Sequence, residues 1–387
     1  MKKNNIITRS IAAAILLSLG TACMHTDAPE FSDVPISFGI YMPRSTSGVS
    51  YASKAAPSPG AVSPGTLPEN TSFGVFAFYQ EGVIYSGTPA RWSGSRKPNY
   101  MFNQRVDYDG SSYTYEPLRY WPANDENTIS FWAYWPYEFY NQTNNNGSLQ
   151  FFDPANTSNA YGVNSAGLPV AKYTVSNVPA EQYDLLFASF GNTDRTYANC
   201  TPTPGTVHFT FRHALSMVEF RIISSGDDLP ANAEIIVTNM TISGVKKTAS
   251  CSNPGASFES DQDAAAFWGT ASNAALITLP TGSTTSTIAT LILMPQALEQ
   301  EGSTGHAVVQ LDITYTIRFP AADPSLPDIE YADNRAVKYI WNDNGTAYGV
   351  KRWLPGRKYI YNLDAGLERI EFSEITEASW TTEWPAE

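Results

Sequence analysis

The sequence predicts an all-β protein built as β-sandwiches, and three observations carry that expectation. Aromatic residues make up 13% of the chain and charged residues only 16%. Gly and Pro number 26 each, the punctuation of many short strands joined by turns. The apolar residues recur at the two-residue period of strands, with no helical pattern between them. At 387 residues the chain is long enough for two domains, each able to bury its own core.

The first 22 residues read as a secretory leader. Lys2, Lys3 and Arg9 form its basic region, and Ile11 to Leu19 is apolar but too short to remain as a membrane span. Leu19-Gly20-Thr21-Ala22 ahead of Cys23 matches a bacterial lipobox, which would make Cys23 the lipid-bearing terminus. The alternative is an ordinary leader followed by an incidental cysteine. Acyl chains on Cys23 would hold the protein to a membrane, each buried CH₂ contributing ~0.8 kcal/mol. Met24 to Val34 reads as a tether.

A first domain is expected over 23–203. Ile36, Phe38 and Ile40 alternate with Ser37, Gly39 and Tyr41, a half-buried strand over 36–41 that ends near Arg44. Residues 45–69 are Ser, Thr, Gly, Ala and Pro with almost no charge, a flexible loop that cannot bury enough apolar area to hold a shape. Phe73 to Tyr79 is the next strand. The stretch Leu118 to Tyr137, LRYWPANDENTISFWAYWPY, is the organising one. Its strand places Ile129, Phe131, Ala133 and Trp135 on one face and Trp132 and Tyr134 on the other, so both faces exclude water. Asn141 to Ser165 reads as a surface loop, Asp184 to Phe187 as a buried closing strand, and Gly191 to Gly205 as a linker.

A second domain is expected over 204–387. Val207, Phe209 and Phe211 share one parity, while Val218, Phe220 and Ile222 follow the other, implying a bulge near His213-Ala214. Strands follow at Ile235–Val245 and Thr287–Met294, with a short helical turn at Ala264–Trp268. His306 to Phe319 alternates so regularly that it must cover a core on one side. Tyr359–Leu363 and Ile370–Ile375 finish the sheet. Cys200 and Cys251 are either one disulfide or two buried thiols.

Reaction chemistry is not in evidence. The four histidines, His25, His208, His213 and His306, lack metal-ligand spacing, so no metal or other cofactor is expected. His213 is read as a core or bulge histidine bonded to backbone rather than as a general base. No nucleophile elbow, P-loop or dinucleotide fingerprint occurs. The acids Asp107, Asp109, Asp125, Glu126, Asp227, Asp228, Asp261 and Asp263 read as solvated loop residues, so no catalytic residue is named. The net charge is −13, and removing a leader with three basic and no acidic residues makes it −16, which disfavours nucleic acid as a partner. Trp92, Tyr100, Tyr161 and Tyr331 lie in expected loops and are the candidates for glycan stacking.

The leader, YWP…ISFWAYWP, DLLFA at Asp184–Ala188, FRHALSMVEF, and the closing WLPGRKYIYNLDAGL…IEFSEITEASW resemble, in that order, the fimbrillin family, subunits of type V pili. The resemblance implies two tandem transthyretin-like, Greek-key sandwiches without enzymatic activity, exported as a lipoprotein to the outer membrane through lipid on Cys23. It implies that an Arg-specific protease cuts between Arg44 and Ser45, removing the strand that carries Ile36, Phe38 and Ile40. Other fimbrial subunits would then be partners through donor-strand exchange, serving adhesion to a host or microbial surface. A donor strand in this chain would have to be the last one, with Ile370, Phe372, Ile375 and Trp380, since only seven residues follow Trp380. Stalk, tip and anchor roles stay open, as does a non-polymerising surface lipoprotein that binds glycans.

Overall fold

A computed structural model describes residues 30–41, 71–81, 99–137, 149–151, 162–163, 169–189, 195–200, 203–223, 229, 232–251, 268, 271–280, 282–284, 287–298, 308–340, 350–366 and 370–380. Within them the chain is strands joined by turns, with a 3-10 turn at Pro179–Glu181, and the all-β expectation is borne out. The strands before the sequence midpoint are β1 (Phe31–Pro35), β2 (Ser37–Tyr41), β3 (Thr71–Gln80), β4 (Met101–Tyr108), β5 (Tyr113–Thr114), β6 (Tyr120–Pro122), β7 (Thr128–Trp135), β8 (Leu149–Phe151), β9 (Gly162–Val163), β10 (Pro169–Thr174) and β11 (Leu186–Ser189). Then come β12 (Thr206–Thr210), β13 (Arg212–His213), β14 (Ser216–Ile223), β15 (Glu234–Cys251), β16 (Ser272–Thr278), β17 (Gly282–Thr284), β18 (Thr287–Leu293) and β19 (Gln296–Ala297). The chain closes with β20 (Gln310–Phe319), β21 (Ile329–Tyr339), β22 (Arg352–Trp353), β23 (Arg357–Ala365) and β24 (Ile370–Ser379).

Strand β7, aromatic on both faces, is buried along its whole length because it is the wall between two cores. Its alternation sends Ile129, Phe131, Ala133 and Trp135 into the first core, with Phe73 and Val75 of β3 and Val106 of β4. Trp132 and Tyr134 enter a second core, with Phe76 of β3, Phe187 of β11, Leu215, Met294 and Trp380. The sheet is ordered β13-β11-β7-β3-β4-β5. Across the first core from it lies the ribbon β12-β2, and β1 pairs with β6.

A third core fills the space between two more sheets. One is β18-β14-β23-β24; the other is β21-β20-β15-β10-β8, with β16 and β17 against β15 and β9 against β10. Leu311, Ile313, Tyr315 and Ile317 of β20 point inward and the residues between them are half-buried, as a one-sided strand requires. In β18, Leu291 and Leu293 face the third core while Ile292 faces the second, so this strand too is apolar on both faces.

The tether ends earlier than its composition suggests, since Phe31–Pro35 pairs antiparallel with Tyr120–Pro122. The parity change after Phe211 is not a bulge within one strand. The chain changes sheet there: β12 runs beside β2, β13 pairs with β11, and β14 lies between β18 and β23. Val207, Phe209 and Phe211 therefore belong to the first core and Val218 and Phe220 to the third, which moves the packing boundary from 203/204 to the segment 212–217. Strands β8 and β10, although they precede that boundary, extend the eight-stranded sheet through Ala171–Thr174 against Thr248–Cys251. Cys200 is a free thiol in the first core, and burial pushes its pKa up to about 11. Of the helical turn expected at Ala264–Trp268, Trp268 alone is among the described residues.

Candidate functional site

The first core is closed by a strand from the N-terminus. Strand β2 runs parallel to β12, from Ser37 beside Thr206 to Tyr41 beside Thr210. Its alternation buries Ile36 and Phe38 and leaves Ser37 exposed. The Phe38 ring stacks on Phe209 at 5.6 Å and meets the edges of Phe73 and Phe131 at 6.2 and 6.0 Å. Burying Ile36 and Phe38 contributes about 1.5–3 kcal/mol each. At the strand's start Ile36 N–H donates to the Arg119 carbonyl at 2.8 Å, and the Tyr115 hydroxyl donates to the Ile36 carbonyl at 2.9 Å. Trp121, fully buried, donates from Nε1 to the Gly205 carbonyl at 3.0 Å and so fixes the entry to β12. The site is thus a hydrophobic slot floored by aromatic rings with a backbone ladder along one side. Removing β2 would leave that ladder unpaired, an edge that accepts an extended strand.

The far end of the chain is held differently. Strand β24 pairs antiparallel with β23 from Ile370 beside Ala365 to Ser379 beside Arg357. Ile370 is buried in the third core, against which Phe372 and Ile375 also pack. Trp380 then leaves the sheet and enters the second core, its backbone N–H donating to the Gly356 carbonyl at 2.7 Å. Its indole stacks on the His213 ring at 4.2 Å and 8°. His213 Nδ1 lies 2.6 Å from Asp184 Oδ2, so its partner is a buried carboxylate and not the backbone group expected from the sequence. His213 lies against the indole and Asp184 is fully buried beside it, an arrangement that clasps the strand end.

Cys23, Arg44 and Ser45 lie outside the described residues, as do Trp92 and Tyr161; Tyr331 lies in β21. Tyr100 is committed to internal packing: its ring stacks on Phe31 at 5.4 Å, and its hydroxyl bonds the Tyr120 carbonyl. Asp109 accepts from the backbone N–H and hydroxyl groups of Ser111 and Ser112, which hold its carboxyl well below the usual range and make 109–112 a turn, whereas Asp107, expected in a loop, lies in β4. Sequence reasoning missed Tyr115 as a partner of Ile36, Trp121 as the anchor of the entry to β12, and the union of Asp184, His213 and Trp380. Only their aromatic or apolar settings gave any signal.

Residues 61–380 match the family model described as fimbrillin-like. Among curated proteins the chain is 28% identical over 183 residues to fimbrium subunit Fim1C of Phocaeicola vulgatus, covering 46% of this chain and 43% of that relative's length. Among solved structures it is similar to a fimbrial protein from Bacteroides vulgatus, with TM-score 0.56 and 20% identity over 80% of this chain and 93% of that one, a likeness of fold. The tip fimbrial protein Mfa3 from Porphyromonas gingivalis aligns with 81% of this chain and 95% of its own at 11% identity and TM-score 0.38.

Proposed function

The chain belongs to the fimbrillin-like family, and from that premise we propose that it is a subunit of a cell-surface fimbrium that accepts a strand from another subunit once β2 has been removed. One observation carries the reading: β2 plugs the first core with Ile36 and Phe38 while pairing along β12, the contact set a foreign strand could reproduce. In this reading Cys23 bears lipid and brings the precursor to the outer membrane, an Arg-specific protease cuts after Arg44, and the assembled fimbrium serves adhesion. No catalytic step and no cofactor enter it. A stalk subunit must also donate a strand, and β24 with Ile370, Phe372, Ile375 and Trp380 would be the donor. The depth at which Trp380 is held favours an accepting tip or accessory subunit.

The test is the N-terminal sequence and intact mass of the protein released from the cell surface, beside an unheated denaturing gel. A start at Ser45 with heat-sensitive multimers is the expected result. A lipid-bearing start at Cys23 with monomer alone overturns strand exchange and leaves an anchor or a non-polymerising surface lipoprotein.

A further inference from the structure

We infer that His208 is a selectivity filter in the β2 slot: it admits a strand only where glycine lies beside it, so the incoming strand reads apolar-x-apolar-Gly-apolar and is not β24 of a second copy of this chain. The inference rests on the reading of β2 as a removable strand.

Gly39 sits at the centre of β2, directly beside His208 of β12. A Cβ at position 39 would stand 2.6 Å from His208 Cδ2 and 2.8 Å from Nε2, closer than real side-chain carbons come. The glycine is not there for its backbone. Among the described residues the positive-φ glycines are Gly110, Gly205, Gly244 and Gly356, so Gly39 has a conformation that any residue can adopt. Glycine inside a strand weakens it relative to alanine, and its usual justification is the close approach of another group. Here that group is the imidazole. Val207 and Phe209, on either side of His208, are buried in the first core, so alternation sends the His208 ring to the outer face, over the strand that fills the slot.

The pattern imposed on an occupant is the one that β2 shows: Ile36, Phe38 and Ile40 inward, Ser37 and Gly39 outward. The chain's own last strand does not meet it. Aligning Ile370 and Phe372 with Ile36 and Phe38 puts Ser373 beside His208 and Glu374 at the third inward position. Leu363-Asp-Ala-Gly-Leu367 fits in sequence, but Leu363 and Ala365 are buried in β23, a central strand paired with both β14 and β24.

The experiment uses the full chain cut after Arg44 by an Arg-specific protease, with native mass spectrometry of the peptide retained by the body. Four synthetic peptides compete with the cut segment: residues 35–41 (PISFGIY), the same with Gly39→Ala, the same with Gly39→Val, and residues 370–376 (IEFSEIT). The 35–41 peptide should replace the segment. The Gly39→Val peptide should do so about tenfold less well, the Gly39→Ala peptide less severely, and the 370–376 peptide not measurably. In His208→Ala protein, and again in His208→Ser protein, the valine peptide should recover. Equal entry of the native and valine peptides, failure of both variants to rescue, or ready entry of the 370–376 peptide overturns the filter alone. If the 35–41 peptide itself never enters and the cut segment never leaves, strand exchange falls and the filter with it.

Discussion

Strands β2 and β24 close their cores in opposite ways. Strand β2 is held by one parallel ladder and by side chains inserted among rings, and a 29-residue span outside the described residues separates it from β3. Strand β24 is held by a longer antiparallel ladder and then by Trp380, stacked on His213 in the second core, where both halves of the chain meet. The first can leave while the large sheet keeps its own pairings: β12 loses its ladder to β2, but it continues into β13, which stays paired with β11. Withdrawing the second must also empty the cavity filled by Trp380. The same sheet chemistry thus makes one terminus replaceable and the other a fixture.

The largest effect should come from the fixture. Trp380→Ala removes a buried indole and should cost about 3–5 kcal/mol in urea unfolding, with hydrogen-exchange protection lost over 370–379. Unchanged protection there would erase the contrast between the two strands. Phe38→Ala removes a smaller buried ring, and β2 can open by itself, so the global loss should stop at the free energy of that local opening. Exchange should quicken over 36–41 and proteolysis after Arg44 should accelerate, while 370–379 stays protected. Equal loosening of both segments would mean that the two strands open together. Asp184→Asn leaves the His213–Trp380 stack in place but removes the carboxylate facing Nδ1, and should cost about 1–3 kcal/mol by the same urea measurement.

Much of the fold was legible in the sequence, for a physical reason. Strands β7, β18 and β20 announce themselves because side-chain alternation is local, and a strand apolar on both faces needs two cores to enter. What local periodicity cannot carry is the choice of partner. The parity change after Phe211 looks the same whether a strand bulges or the chain changes sheets. Nothing near Ala171–Thr174 says that its neighbour is Thr248–Cys251. β1, with Asp33 and Pro35 among five residues, has too weak an alternation to be told from a tether. At the candidate site, Ile36, Phe38 and Ile40 were legible by period, whereas the Asp184–His213–Trp380 clasp joins three remote segments. Gly39 was read as one more outward position, because its reason lies on β12.

The smallest expected effect sharpens the comparison most, because it acts on β2 through one hydrogen bond. The Tyr115 hydroxyl donates to the Ile36 carbonyl, and burial pushes its pKa up to about 12 from the ordinary 10.0. Tyr115→Phe at neutral pH should lower the free energy of β2 release by about 1 kcal/mol, read as faster exchange over 36–41. The phenol is neutral when protonated and its folded pKa lies above the unfolded one. Its contribution is therefore whole below pH 10 and is lost as pH climbs from about 10 to about 12. Phenylalanine cannot ionise, so the gap between the two proteins should close across that window and then reverse, with wild type releasing β2 more readily at its upper end. Other buried tyrosines, among them Tyr113 and Tyr361, titrate upward in both proteins and cancel in the difference. No gap at neutral pH would show that the hydroxyl does not hold β2, leaving the packing of Ile36 and Phe38 and the ladder to β12 as its retention, and a gap that stays constant through pH 12 would show that releasing β2 does not expose the phenol.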